Sequence, residues 1–159
     1  MSYLSPRRLR GRVTEADTSF LKDAIGTTLE TFDGTLITYT PPPGAQNVVY
    51  ECQFTTAWTP DANGSYPCVR LQYSDDSGST WNTITGTECF LGNNSGSSDY
   101  NWHSYLVVYT IAAWSGSRQL RMIGRAFSSS TEFTLGRSYR SVGAEGAGAC
   151  PIVSCYSVM

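Results

Sequence analysis

The chain has 159 residues, 40% of them hydrophobic, 13% aromatic and only 15% charged, with a formal net charge of -2. That length suits one domain with a real core and excludes two, and the apolar share excludes a chain disordered throughout. With 15 Gly and 10 Tyr beside abundant Thr and Ser, the composition matches pleated surfaces joined by tight turns and predicts an all-β fold.

At the N-terminus Arg7, Arg8, Arg10 and Arg12 precede the first acid, Glu15, which leaves the rest of the chain acidic. An acidic body argues against nucleic-acid binding. The basic cluster reads either as a solvated terminus or as an arm that docks on an acidic neighbour. Its surroundings, "MSYLSPRRLRGRVTEADTSF", hold no apolar h-region, so no signal peptide is expected. No apolar run approaches the roughly 18 residues of a membrane span, so no membrane partner is expected.

Residues 1–13 are expected to form an unstructured arm. Thr14 and Asp17 then form the capping pattern [ST]-x-x-[DE], and Phe20 with Ala24 and Leu21 with Ile25 recur at spacing four. That spacing predicts a helix over residues 14–25, ended by Gly26. Residues 1–34 thus read as an anchor, with the four arginines, Phe20 and Leu21 as its particle-binding residues. Residues 35–159 read as an antiparallel β-sandwich or jelly roll.

From Leu36 onward strand patterns alternate with turn clusters. "LITYT" stops at the breaker Pro41-Pro42-Pro43-Gly44, and "VVYECQFTTAW" follows with Val48, Tyr50, Cys52 and Phe54 on one face. "CVRLQYS" sets Val69, Leu71 and Tyr73 against Arg70 and Gln72. "WNTIT", "ECFL", "RQLRMIGRAF", "EFTLGRSYR" and "CPIVSCYSV" bring the total to about eight or nine short strands, as in sandwiches and jelly rolls.

The longest pattern, "WHSYLVVYTIAAW", is apolar on both faces: Tyr105, Val107, Tyr109 and Ile111 on one, Leu106, Val108 and Trp114 on the other. An antiparallel strand of this kind needs two covers, the core and either an intrachain loop or a second subunit. Tyr105, Val107, Tyr109, Ile111 and Trp114 are therefore expected at an oligomer interface. Arg121 and Arg125, beside Ile123 and Phe127, fit either an interface or arginines covering their own sheet.

The most motif-like stretch is "YSDDSGSTWNTI". Ser74, Asp76, Gly78, Thr80 and Trp81 match the S-x-D-x-G-x-T-W Asp box familiar from sialidases. Physically the motif staples a hairpin. A short carboxylate accepts turn N–H groups, Gly supplies a conformation other residues resist, and Trp packs under the turn. The motif occurs once, in a chain too short for a propeller, so a sialidase is rejected.

Other chemistry is thinly represented. His103 is the one histidine, and no G-x-S-x-G surrounds a serine. Glu51 and Glu132 each sit on the polar face of a strand pattern, where a glycosidase could use such a pair, but outward-facing glutamates are common on β-proteins. Asp75 and Asp76 lack the ligand spacing of a calcium loop, and no phosphate-cradling glycine motif occurs. The five cysteines, Cys52, Cys68, Cys89, Cys150 and Cys155, form neither a disulfide framework nor zinc spacing and read as buried thiols. No catalytic residue, metal or cofactor is expected.

Taken together, "ITYTPPPGAQNVVYECQF", "VRLQYSDDSGSTWNTI" and "LVVYTIAAW" before an Arg-bearing strand, across roughly residues 37–127, resemble jelly-roll structural proteins of tailed-phage virions, especially of marine and cyanobacterial phages. The resemblance implies a homotrimer attached to capsid or tail proteins by its N-terminal segment, found in virions and assembled in the host cytoplasm. It carries no catalytic or ligand residues, and it leaves out "CPIVSCYSVM". The expected function is non-enzymatic: capsid decoration or cement, or a head or tail fibre. The rival readings are a carbohydrate-binding module that stacks a host glycan on Tyr100 and Trp102, and a small glycan-degrading enzyme.

Overall fold

A computed structural model describes residues 10–16, 22–32, 34–58, 67–91, 101–126, 133–135, 137–140, 144–147 and 151–158. The strands are β1 (Arg10–Ala16), β2 (Lys22–Ile25), β3 (Glu30–Thr31), β4 (Ile37–Tyr39), β5 (Asn47–Trp58), β6 (Cys68–Ser74), β7 (Asn82–Thr83), β8 (Cys89–Phe90), β9 (Asn101–Ala112), β10 (Arg118–Arg125), β11 (Phe133–Leu135), β12 (Arg137–Arg140), β13 (Ala144–Ala147) and β14 (Ile152–Val158). The described residues are all-β, every pairing among them is antiparallel, and they contain no helix.

The first sheet runs β1–β14–β5–β9, with β11 and β2 extending it beyond the end of β14, where β11 pairs Thr56 to Trp58. In the second sheet β10 is central. It pairs β6 on one side and β3 and β4 on the other, while β7 and β8 line the far edge of β6. Strands β12 and β13 form a separate hairpin. The chain crosses between the sheets from β2 to β3, β4 to β5, β5 to β6, β8 to β9, β9 to β10 and β10 to β11, which is Greek-key wiring rather than a meander.

Period two explains the core. On β5 the side chains of Val48, Tyr50, Cys52 and Phe54 are all at most 2% exposed, and they face Val69, Leu71, Leu120 and Met122 of the second sheet. Alternate positions along a strand share a face, so each of these runs buries one side as a unit. Thr35 ties the layers together. Its hydroxyl donates to the Phe32 carbonyl and accepts the Met122 N–H at 3.0 Å, and its carbonyl accepts the Tyr50 hydroxyl at 2.7 Å. The Pro41–Gly44 breaker is a turn: the Ala45 N–H donates to the Pro42 carbonyl at 3.1 Å, and Gly44 has a φ of 83°.

The helix expected over residues 14–25 is not what forms in the described part of that span. Thr14 to Ala16 belong to β1 and pair Ser154 to Ile152 of β14, while Lys22 to Ile25 form β2. A spacing of four is also two strand periods, so Leu21 and Ile25 satisfy the strand pattern as well as the helical one. Ile25 is 1% exposed in the sandwich core. Of the arm expected over residues 1–13, Arg10 to Val13 lie in β1, where Arg10 pairs Ser157 and Val13 pairs Cys155, and residues 1–9 lie outside the described residues. Arg7, Arg8, Phe20 and Leu21 lie outside the described residues.

Candidate functional site

At the Ser74 to Trp81 turn the side chains serve the loop itself. Ser74 is 1% exposed. Its Oγ accepts the Gly78 N–H at 2.8 Å and the Asp76 N–H at 3.3 Å, and donates to Asp76 Oδ1 at 2.7 Å. The same carboxylate oxygen accepts the Thr80 N–H at 2.8 Å. These bonds, from the Ser74 hydroxyl first and Thr80 second, hold the Asp76 carboxyl at a pKa of about 2. Gly78 has a φ of 91°, a left-handed conformation that strains any side chain, and a Cβ there would also press on Gln119 Oε1 at 3.1 Å.

Two arginines of β10 clamp this hairpin to the sheet. Arg121 lies 3.7 Å from the centroid of the Trp81 ring and donates from Nε to Gln72 Oε1 at 3.0 Å. Arg118 donates to both carboxylate oxygens of Asp75, at 2.6 and 3.2 Å, and stacks over Tyr73 at 4.2 Å and Trp114 at 4.9 Å. Trp114 in turn meets Tyr39 edge-on at 6.2 Å. Arg121 thus lies over residues of its own sheet. Sequence reasoning missed the Arg118–Asp75 pair, whose members are 43 positions apart and leave no local signal.

The two faces of β9 are now distinguished. Val107 and Tyr109, expected at an interface, are 5% and 8% exposed and belong to the core, with Tyr105, Ile111 and Trp114 packed against it. Tyr105 and Tyr109 sit beside Phe54 and Tyr50, with ring centroids 5.9 and 6.4 Å apart. The open residues are on the opposite face: Leu106 at 64% and Val108 at 48% exposure. Across the ladder Leu106, Gln53 and Ile152 share one row, and Ile152 is itself 45% exposed. In the next row Glu51 accepts the Tyr156 hydroxyl at 2.6 Å.

On the outer face of the second sheet, Arg70, Arg121 and Arg125 line β6 and β10. Arg70 lies opposite Ile123, Arg121 opposite Gln72 and Arg125 opposite Cys68. Arg70 bridges Glu88 at 2.5 Å, and that cation holds the Glu88 carboxyl below its ordinary value. Phe90, 56% exposed, is the neighbour of Cys68 on β8. Arg125, expected at an oligomer interface, thus stands on the sheet opposite the open apolar face.

His103 lies on β9 with its ring 5.9 Å from Tyr105. Tyr100, Phe127 and Glu132 are outside the described residues, as is the side chain of Trp102. Cys52, Cys68 and Cys155 are buried free thiols and Cys89 is a half-buried one. Burial pushes the Cys52 and Cys155 thiols up to about 12 and Cys68 up to about 11, far from a reactive thiolate. Among the described residues no three His, Cys, Asp or Glu side chains gather as a metal site would need.

No family model and no curated protein sequence matches the chain. Among solved structures it is similar to Eiger TNF from S. frugiperda, with a TM-score of 0.44 and 11% identity over 94% of both chains. It is also similar to a pentameric capsid protein isolated from metagenomic phage sequences, with a TM-score of 0.32 and 10% identity, covering 91% of this chain and 62% of that one. No residue role is carried over from either.

Proposed function

We propose that this chain is a non-enzymatic structural protein of a tailed-phage virion: a jelly-roll homotrimer that decorates or cements the capsid, or builds a head or tail fibre. The observation that carries self-association is the outer face of the first sheet, where Leu106 and Val108 of β9 and, on the far side of β5, Ile152 of β14 stand open. Large aliphatic side chains clustered on a sheet face mark a surface that a partner covers. The edge beside them supports the same reading. Across its 12 residues β9 has no charge, Pro or Gly, its pairing to β5 is unbroken, and among the described residues β5 is its one partner. Monomeric proteins protect such edges with Lys, Pro or bulges, and β9 has none of them.

The strand order β1–β14–β5–β9 against β4–β10–β6–β7 supports the jelly-roll assignment, since two interlocked Greek keys generate that alternation. The number three and the virion rest on the sequence resemblance. Attachment is assigned to the N-terminal segment, where Arg7 and Arg8 precede β1 and Arg10 and Arg12 lie within it. Guanidinium groups there would form charge-assisted bonds with carboxylates of a capsid or tail protein.

Light scattering tests the oligomer. The expected mass is three times the 17.4 kDa protomer. Leu106→Asp with Val108→Asp should give a folded monomer, because both side chains already face outward. A wild-type monomer at tens of micromolar, or a doubly substituted protein that keeps its mass, would remove the interface. A cryo-EM map of the parent particle tests the virion assignment, which fails if no density on the particle fits this chain.

A further inference from the structure

We infer that the outer face of the second sheet is a docking surface for an anionic polysaccharide. Rows of β6, β8 and β10 there carry Arg70, Arg121 and Arg125 against a single carboxylate among the described residues of these rows, Glu88. The cations are held ready. Arg121 is fixed by Trp81 and Gln72, and Arg70 by Glu88. Arg125, half-buried, makes no hydrogen bond to a described residue and lies close enough to Glu88 for its charge to help lower that carboxyl. Ordered guanidinium groups lose little entropy when they take a second acceptor, and their planar forks match carboxylate and sulfate oxygens.

The spacing suits a chain better than a compact ligand. Neighbouring strands lie about 4.8 Å apart and same-face residues about 7 Å apart, so Arg121, Arg70 and Arg125 form a zigzag over roughly 13 Å around the buried Ile123 and Cys68. Phe90 continues the Arg125–Cys68 row, its ring 56% exposed, where a sugar ring can lie against it. A protein partner would need a pocket for a buried anchor, and this flat, cationic face with one exposed ring offers a repeating charged polymer more than it offers a globular surface. The inference is independent of the trimer, whose contacts lie on the other sheet.

Binding to polygalacturonate, with polyglutamate as the carboxylated polypeptide control and amylose as the neutral sugar control, tests it. All variants are made in a background with Arg7, Arg8, Arg10 and Arg12 replaced by Gln, which removes the N-terminal cations as a competing site. Polygalacturonate should bind that background in a salt-sensitive manner, and amylose should not. Arg125→Gln should weaken binding roughly tenfold, the scale of one charge-assisted hydrogen bond. Glu88→Gln should tighten binding, and Phe90→Ala should weaken it for the sugar polymer alone. Thermal melts verify that each variant folds, and Glu88→Gln keeps the inference falsifiable if an arginine variant does not. Loss of all binding in the background, an unchanged Arg125→Gln, or polyglutamate binding as tightly with no effect of Phe90→Ala would each overturn it. The last result would point to an acidic polypeptide instead.

Discussion

Gly124→Ala is the most informative single substitution, because its cost is set by geometry alone. Gly124 has no unusual φ, so an alanine there adds no backbone strain, only a methyl group. That methyl would fall inside van der Waals contact of Phe32 Cζ, 3.0 Å from Phe32 Cε2 and 2.8 Å from the Cys68 carbonyl oxygen. Neither neighbour can easily retreat. Phe32 is 0% exposed with its N–H bound to the Met122 carbonyl at 3.0 Å, and Cys68 belongs to the β6–β10 ladder. Overpacking of a filled core costs about 1–3 kcal/mol, and two immobile neighbours put this case at the upper end. For a domain of this size that is a fall in Tm of roughly 6–12 °C. Calorimetry at fixed protein concentration measures it. Adding Phe32→Leu, which removes the ring tip, should recover part of the loss, with a coupling of about 1 kcal/mol or more. A Gly124→Ala protein melting within about 2 °C of wild type, or two substitutions whose costs simply add, would refute this account of the core.

Three further outcomes follow from the structure. The Asp76 carboxyl, at about 2 against an ordinary 3.8, contributes stability that is present above pH 3.8 and lost as pH falls from there toward 2; the Thr80 amide resonance should titrate with a midpoint near 2, a midpoint near 3.8 would contradict the bond, and Asp76→Asn should abolish the titration. Iodoacetamide at pH 8 should leave Cys52, Cys68 and Cys155 unmodified in the native protein and label them after denaturation, since burial holds all three thiols at about 11 or 12; rapid native labelling, read by peptide mass spectrometry, would contradict their placement. Deleting residues 1–13 should speed hydrogen exchange at Cys155 and Ser157, which lose Val13 and Arg10 as ladder partners, whereas deleting residues 1–9 should not; equal protection in both truncations would mean that β1 does not hold that edge.

Much of the sandwich was legible in the residues themselves. Val48, Tyr50, Cys52 and Phe54 alternate strictly and are buried, Pro41 to Gly44 forms a turn, and the spacing of Ser74, Asp76, Gly78 and Thr80 places donors and acceptors within one loop, where they meet. These are features of period and local reach, which neighbouring residues determine without the rest of the chain. The segment over residues 14–25 shows where that stops. A spacing of four serves both a helix and a strand, and what distinguishes them at Thr14 to Ala16 is pairing with β14, more than 130 positions away. The two faces of β9 pose the same difficulty, because each is apolar by composition. Only the arrival of Tyr50 and Phe54 beside Tyr109 and Tyr105 assigns one face to the core and leaves Leu106 and Val108 outside. The arginine clamps on the Asp76 hairpin likewise exist because β10 lies against β6, so Arg118 reaches Asp75 and Arg121 reaches Trp81. Periodicity states that a strand has a face to bury; which face is buried depends on the strands that pack against it, and those come from distant parts of the chain.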